Sequence, residues 1–202
     1  MPRLLLATNN RHKIAELRPL LSDLGIEVVS PAEIGVSLDV EENGATYADN
    51  AALKARAFAR ASGFVTLADD SGLEVDALGG QPGVYSSRYA GPGSDDAQRC
   101  ALLLARLRDI PAERRAARFV CVIAIADPSG EVRLVEGECR GEIATEPRGS
   151  RGFGYDPVFF LPERGRTMAE LPASTKNRIS HRARAARRAR AMLGQMLRRG
   201  EL

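Results

Sequence analysis

The first 68 residues alternate short apolar runs with stretches of helical periodicity, and this alternation constrains the fold more than any other feature. Leu4-Leu5-Leu6-Ala7 breaks at Thr8-Asn9-Asn10, the signature of a buried strand entering a loop. From Lys13, the residues Ile14, Leu17, Leu21 and Leu24 recur at helical spacing, and Gly25 is a stop signal. Pro19 falls inside that pattern and predicts a kink or a late helix start. Residues 27–30 read as a second strand. Thr46 followed by Asp49 has the form of a capping box, and Ala51, Ala55, Phe58, Ala59 and Ser62 continue a helix that Gly63 closes. Residues 64–68 are then a strand running straight into Asp69-Asp70-Ser71-Gly72, which predicts two carboxylates at the end of a buried strand, on a sheet edge.

The remainder changes character. Residues 79–93 are rich in glycine and proline and read as loop. Ser94, with Asp95 and Asp96 in the first turn, starts a helix packing through Ala97, Cys100, Leu104 and Leu107 and ending before Pro111. Residues 119–126 are a strong strand, Asp127-Pro128-Ser129-Gly130 a turn, and residues 132–138 the returning strand of a hairpin. A second glycine-rich loop at 149–154 leads into Val158-Phe159-Phe160. The tail from about Ser180 to Arg199 is helical, with Ala186, Ala189, Leu193, Met196 and Leu197 on one face. An α/β protein with a mixed sheet and flanking helices fits this order, as one domain over residues 1–202 built of two lobes with a cleft between them.

A chain of 202 residues can bury a substantial core. No apolar run approaches the roughly 20 residues of a membrane span, and the N-terminal run is too short for a signal-peptide core, so the expected location is cytoplasmic. Cys100, Cys121 and Cys139 are odd in number, suit no metal knuckle and sit in apolar stretches, where packed reduced thiols are expected. The net charge of +3 conceals an asymmetry: residues 1–177 carry 21 basic against 25 acidic groups, a net of −4, whereas residues 178–199 hold eight Arg and no acid. Lysine occurs only at Lys13, Lys54 and Lys176.

Four segments carry residues suited to chemistry. Thr8, Asn9, Asn10, Arg11, His12 and Lys13 form a polar loop between a strand and a helix, where ligands gather in α/β sheets and helix N–H groups face anions. This is not a Walker P-loop, since no G-x-x-x-x-G-K-[ST] is present. Glu41-Glu42 and Asp69-Asp70 offer carboxylates for Mg²⁺, which takes one or two of them and completes its shell with phosphates and water, and for a base acting on water. Gly152-Phe153-Gly154-Tyr155-Asp156-Pro157 places aromatic rings between flexible glycines, a surface on which a base can stack. Lys176-Asn177-Arg178-Ile179-Ser180-His181-Arg182 precedes the last helix with cationic donors. Cations at a helix N-terminus oppose the macrodipole, so this placement points towards a ligand.

Together these segments resemble the inosine triphosphate pyrophosphatase, or Ham1, family over essentially the whole chain. The likeness rests on Thr8-x-Asn10-x-x-Lys13, Ala68-Asp69-Asp70-Ser71-Gly72-Leu73, Gly79-Gly80-x-Pro82-Gly83, Phe153-Gly154-Tyr155-Asp156-Pro157 and Ser180-His181-Arg182. Each motif is weak alone; five in this order are specific. The resemblance implies an elongated mixed α/β fold with the active site between two lobes, a homodimer, and Mg²⁺-dependent hydrolysis of ITP, dITP and XTP to monophosphate and pyrophosphate. It implies that residues 8–13 hold the phosphates, that Glu41 and Asp70 serve the metal, and that Asp70 is also the general base. It further implies that Ser71 contacts substrate, that Phe153, Gly154, Tyr155 and Asp156 line the base pocket, and that Lys176, His181 and Arg182 bind base or phosphate. The residues alone do not separate the roles of Asp69 and Asp70. Ala173-Ser174-Thr175 is less acidic than the family pattern.

Two other classes are weaker. The arginine-rich final helix suits a nucleic-acid module, but it also reads as an amphipathic helix with a solvated basic face, and the acidic remainder opposes wrapping a nucleic-acid backbone, so no nucleic-acid partner is expected. A serine or cysteine hydrolase lacks G-x-S-x-G and has only His12 and His181 as candidate bases, whereas a nucleotide pyrophosphatase aimed at modified pyrimidines would share the carboxylates and metal and differ in the base pocket.

Overall fold

The computed structural model of the protein covers residues 1–202 and contains one seven-stranded mixed sheet with five α-helices. The strands are β1 (Arg3–Leu6), β2 (Glu27–Val29), β3 (Val65–Val75), β4 (Ala116–Ala126), β5 (Val132–Ile143), β6 (Phe159–Leu161) and β7 (Arg166–Thr167), ordered β2-β1-β3-β4-β5-β6-β7. The helices are α1 (Arg11–Leu21), α2 (Tyr47–Ser62), α3 (Asp96–Arg106), α4 (Ala173–Ile179) and α5 (His181–Arg199). β1 pairs in parallel with both β2 and β3, which the intervening α1 and α2 make possible as crossovers. β6 pairs antiparallel with β5 and with β7. No helix is long and apolar enough to cross a membrane.

Local signals explain most of the boundaries. Asn10 caps α1, accepting from the backbone N–H groups of His12 and Lys13. α1 runs past Pro19 to Leu21 because Leu17 and Leu21 are anchored in the core. Thr46 and Asp49 form the reciprocal capping box of α2, and Gly63 closes that helix at φ +72°.

The structure differs from the sequence expectation in three places. β3 does not end at Ala68: it continues through Asp69-Asp70-Ser71-Gly72 to Val75, so the two acids lie inside a central strand rather than at a sheet edge. Aspartate is depleted in strands, so an Asp-Asp-Ser-Gly run reads as a turn unless outside partners satisfy it. The cap of α3 is Asp95, boxed with Gln98, one residue beyond Ser94. The basic segment before α5 is itself a short helix, α4.

The chain divides into two compact units, whose boundaries fall within β3, β4 and β5. The first comprises Met1–Asp70, Cys121–Gly137 and His181–Leu202. Its core joins Leu4, Leu6, Val65 and Leu67 to Cys121, Ile123 and Ile125, and to Leu17 and Leu21 of α1. α5 completes it with Ala185, Ala186 and Ala189, small residues that allow close packing at its first turns, and with Leu193 and Met196 further along. The second unit comprises Ser71–Val120 and Glu138–Ser180. There Leu73 and Val75 pack with Leu103 and Leu107 of α3, and the Phe119 and Phe159 rings meet with centroids 4.4 Å apart. All three cysteines are free and buried, and burial pushes the Cys121 thiol up to about 12. Leu193 is fully buried on α5. Leu193→Ala should therefore cost about 2–5 kcal/mol of stability, read as a lowered urea midpoint at unchanged m-value.

Candidate functional site

In the first unit, polar side chains from four segments converge on the middle of β3. Successive strand residues face opposite sides of the sheet. Val65 and Leu67 face the core shared with α1 and α5, so Asp69 follows them to that side and Asp70 is sent to the other. This period of two separates the pair of acids that the sequence leaves undivided.

Asp69 is fully enclosed and surrounded by cations. Its Oδ2 lies 3.1 Å from Lys13 Nζ and accepts from Arg182 Nε at 3.2 Å, while its backbone carbonyl accepts from Lys54 Nζ at 2.8 Å. Its other carboxylate oxygen, Oδ1, is buried without a hydrogen-bond partner. Burial alone would raise its pKa, yet Lys13, Arg182 and Lys54 together hold the carboxyl well below the usual range. Arg182, only 2% exposed at the start of α5, also donates from Nη1 to Glu16 of α1 at 2.6 Å. Two nitrogens of this guanidinium are thus committed to carboxylates of the protein itself, and they tie α1, β3 and α5 together.

Asp70 has the opposite environment. Burial raises its carboxyl above the ordinary value, and the nearby negative charge of Glu42 raises it further, against the pull of Lys54, the Asn50 hydrogen bond and Lys13. Asn50 Nδ2 donates to Asp70 Oδ2 at 3.1 Å. Lys54, one helical turn after Asn50, donates to Glu42 Oε1 at 2.8 Å. Burial alone would lower the Lys54 ammonium, but Asp69, Glu42 and Asp70 hold it above its ordinary value, so it stays charged. Lys54 and Asn50 are functional candidates that the sequence reading passed over. The scarcity of lysine was the available signal for Lys54; Asn50 gave none.

The acidic loop is divided too. Glu42 is half-buried on Lys54, whereas Glu41 is exposed and makes no ion pair. No group of three or more His, Cys, Asp or Glu side chains is gathered as a metal cage. A hard cation that needs only one or two carboxylates is compatible with this donor set. Burial and the Glu42 charge both raise the Asp70 carboxyl, and a cation beside it would offset both.

The loop after β1 presents Asn9, Asn10, Arg11 and His12 to solvent, with Thr8 and Lys13 half-buried. Thr8 Oγ1 accepts from the Asn10 N–H at 3.1 Å. Asn10 Oδ1 occupies the N–H groups of His12 and Lys13. Of this segment, Lys13 is the residue brought to the carboxylates. His181 is buried beside Arg182.

In the second unit, the backbone N–H of Phe153 donates to Asp156 Oδ2 at 2.9 Å, and Lys176 Nζ pairs with the same oxygen. The Lys176 ammonium also lies 4.9 Å from the centroid of the Phe153 ring, a cation–π contact that fixes the ring plane. Gly152 adopts φ +78°, and a Cβ there would fall 2.0 Å from Asp156 Oδ2, so this position requires glycine. Gly154 donates its N–H to Asp96 Oδ2 at 2.6 Å. Tyr155 is placed in the second core: its hydroxyl donates to the Ser86 carbonyl at 2.8 Å, and it supports the loop from behind. Ser71 is half-buried on β3.

The Ham1 family model matches residues 4–192. A dITP/XTP pyrophosphatase of Desulforamulus reducens is 51% identical over 194 residues, covering 96% of this chain and 96% of that protein. A dITP/XTP pyrophosphatase of Geobacillus kaustophilus is 51% identical over 185 residues, covering 92% of this chain and 91% of that one. The solved structure of a HAM1 protein from Coxiella burnetii superposes with a TM-score of 0.89 at 44% identity, covering 96% of this chain and all of that one. With a family model spanning nearly the whole sequence and relatives at half identity, the chain belongs to the Ham1 family.

Proposed function

We propose that the protein is a nucleoside-triphosphate pyrophosphatase that hydrolyses dITP, ITP and XTP to the monophosphate and pyrophosphate. The observation that carries this reading is the contrast between neighbouring carboxylates: Asp69 is locked into a cationic cage, while Asp70 is held above its ordinary pKa. A carboxylate with a raised pKa accepts a proton more readily at neutral pH, which is what a general base needs. The names of relatives sharing half of all residues supply the substrate class.

Asp70 orients the attacking water and takes its proton as the water oxygen bonds to the α-phosphorus. The bridging oxygen between the α- and β-phosphorus leaves with the bonding electron pair as pyrophosphate. Lys13 and Lys54 neutralise phosphate oxygens, with their ammonium groups held in place by Asp69 and Glu42. Asp70 and Glu41 would hold Mg²⁺, since Glu42 is already engaged by Lys54; when bound, the ion supplies charge neutralisation to the triphosphate and departing pyrophosphate. Thr8 and the exposed Asn9, Asn10, Arg11 and His12 offer further phosphate contacts.

Phe153 provides the stacking face for the base, on the platform built by Asp156, Lys176 and Gly154. The 6-oxo group of hypoxanthine and xanthine accepts hydrogen bonds where adenine's amine donates, so cationic or N–H donors from Lys176, His181 and Arg182 favour the former, with Ser71 as a further contact. A wrong base that leaves such a buried donor unpaired loses roughly 2–4 kcal/mol. The reading includes a homodimer, on the strength of the family resemblance, and a cytoplasmic location, as expected from the sequence.

With Mg²⁺, purified protein should release pyrophosphate and monophosphate from dITP, ITP and XTP, and little from ATP, dTTP or dUTP, while GTP, which shares the 6-oxo group, reads out whether position 2 is discriminated. Diphosphate with orthophosphate would place the cleavage at the wrong bond. The two acids should separate in a paired experiment at neutral pH. Asp70→Asn should abolish most turnover while melting at or above the wild-type temperature, because a carboxylate with a raised folded pKa costs stability once ionised. Asp69→Asn should lose up to about 3–5 kcal/mol, because it removes the buried carboxylate that Lys13 and Arg182 share and leaves Arg182 with Glu16 alone. The Asp69 contribution is fully present above the ordinary carboxylate pKa near 4 and is lost only as pH falls through its depressed folded value, so urea titration at pH 7 reads the whole effect.

A further inference from the structure

Asn50 is a buried amide in the second turn of α2, 1% exposed. Neither the helix nor the core calls for it there. Asparagine is a mediocre helix former in an interior turn, and burying its side chain costs free energy unless every polar atom finds a partner. Both ends do. Asn50 Oδ1 accepts from the backbone N–H of Gly44 at 2.8 Å, and Nδ2 donates to Asp70 Oδ2 at 3.1 Å. The chemistry of the partners fixes which way the amide points. A backbone N–H can only donate, so it must meet the oxygen; the nitrogen is then obliged to face the carboxylate.

Gly44 closes the other end of this relay by proximity. A Cβ on Gly44 would lie 2.7 Å from Asn50 Oδ1 and 2.6 Å from Asp49 Cβ, so any side chain there displaces the amide or lifts the loop. Gly44 belongs to the loop that carries Glu41 and Glu42, and Lys54 fastens the same loop through Glu42 from the next turn of α2. One face of α2 therefore grips the acidic loop at two points and reaches β3 from both, Asn50 at the Asp70 carboxylate and Lys54 at the Asp69 backbone carbonyl.

We propose that Asn50 is a positioning residue for the reaction: clamped by Gly44, it holds the Asp70 carboxylate in one orientation and couples that orientation to the acidic loop. It touches Asp70 rather than the substrate, so its loss should act on turnover and leave nucleotide affinity nearly intact. The inference rests on the reading of Asp70 as the base.

The test compares steady-state kinetics on dITP for wild type, Asn50→Ala, Gly44→Ala and the double variant, with thermal melts of each. Turnover by the wild type and its loss in Asp70→Asn establish the underlying reading first; failure there overturns that reading and this proposal with it, and is distinct from the failures below. Given that, Asn50→Ala should lower kcat at least tenfold with KM within threefold. Gly44→Ala, which leaves the amide chemically intact and removes no buried side chain, should lower kcat in the same direction. In the double variant the two losses should not multiply, because the Gly44 effect passes through the amide. A kcat for Asn50→Ala within twofold of wild type overturns the proposal. So does a loss carried by KM, which would make Asn50 a binding residue, or independent multiplying losses in the double variant. Should Asn50→Ala melt far below the wild type, Gly44→Ala decides alone: wild-type kcat in a folded Gly44→Ala protein overturns the coupling.

Discussion

The carboxylate of Asp69 is the point on which the first unit depends. It is sealed from solvent in the middle of a central strand and is kept ionised by Lys13 of α1, Arg182 of α5 and Lys54 of α2. A buried charge is tolerable only when paired and hydrogen-bonded, so the three helices are obliged to present their cations at fixed places. Arg182 passes the obligation on to Glu16. The same contacts that settle the fold therefore hold two ammonium groups, Lys13 and Lys54, where a polyanion can use them.

That arrangement explains why adjacent acids have opposite characters. The cations on the Asp69 side stabilise its charge, whereas Asp70, one residue further on, faces an amide and a second acidic side chain. A strand produces this separation without further machinery, because alternation of its side chains is a property of the backbone. A loop carrying the same two residues would leave both carboxylates exchanging positions. Continuation of β3 through the pair is thus as much a part of the site as the carboxylates themselves.

The second unit works by similar economy. One oxygen of Asp156 receives the Phe153 N–H and the Lys176 ammonium, and the lysine lies against the aromatic face. The charge pair thereby sits against one face of the ring. Tyr155 faces the core and braces the loop on the Ser86 carbonyl. Two residues on from Phe153, it supports the loop from the core side.

Much of the chain declared itself through local chemistry. The capping box at Thr46 and Asp49, the glycine stop at Gly63, the hairpin around Asp127 and the apolar face of α5 are consequences of neighbouring residues alone, and each appears where the spacing puts it. The candidate site was legible as residue types in order, because motifs such as Ala68-Asp69-Asp70-Ser71-Gly72 are contiguous. Only the tertiary structure decided the length of β3, since its polar residues are paid for by cations from helices distant in sequence. It alone divided Asp69 from Asp70, tied Glu42 to Lys54 and committed Arg182 to carboxylates. It alone brought in Asn50, whose meaning lies in two partners, six and twenty residues away, that no periodicity connects. Sequence spacing fixes what a backbone repeats, whereas the state of a buried charge depends on everything packed around it.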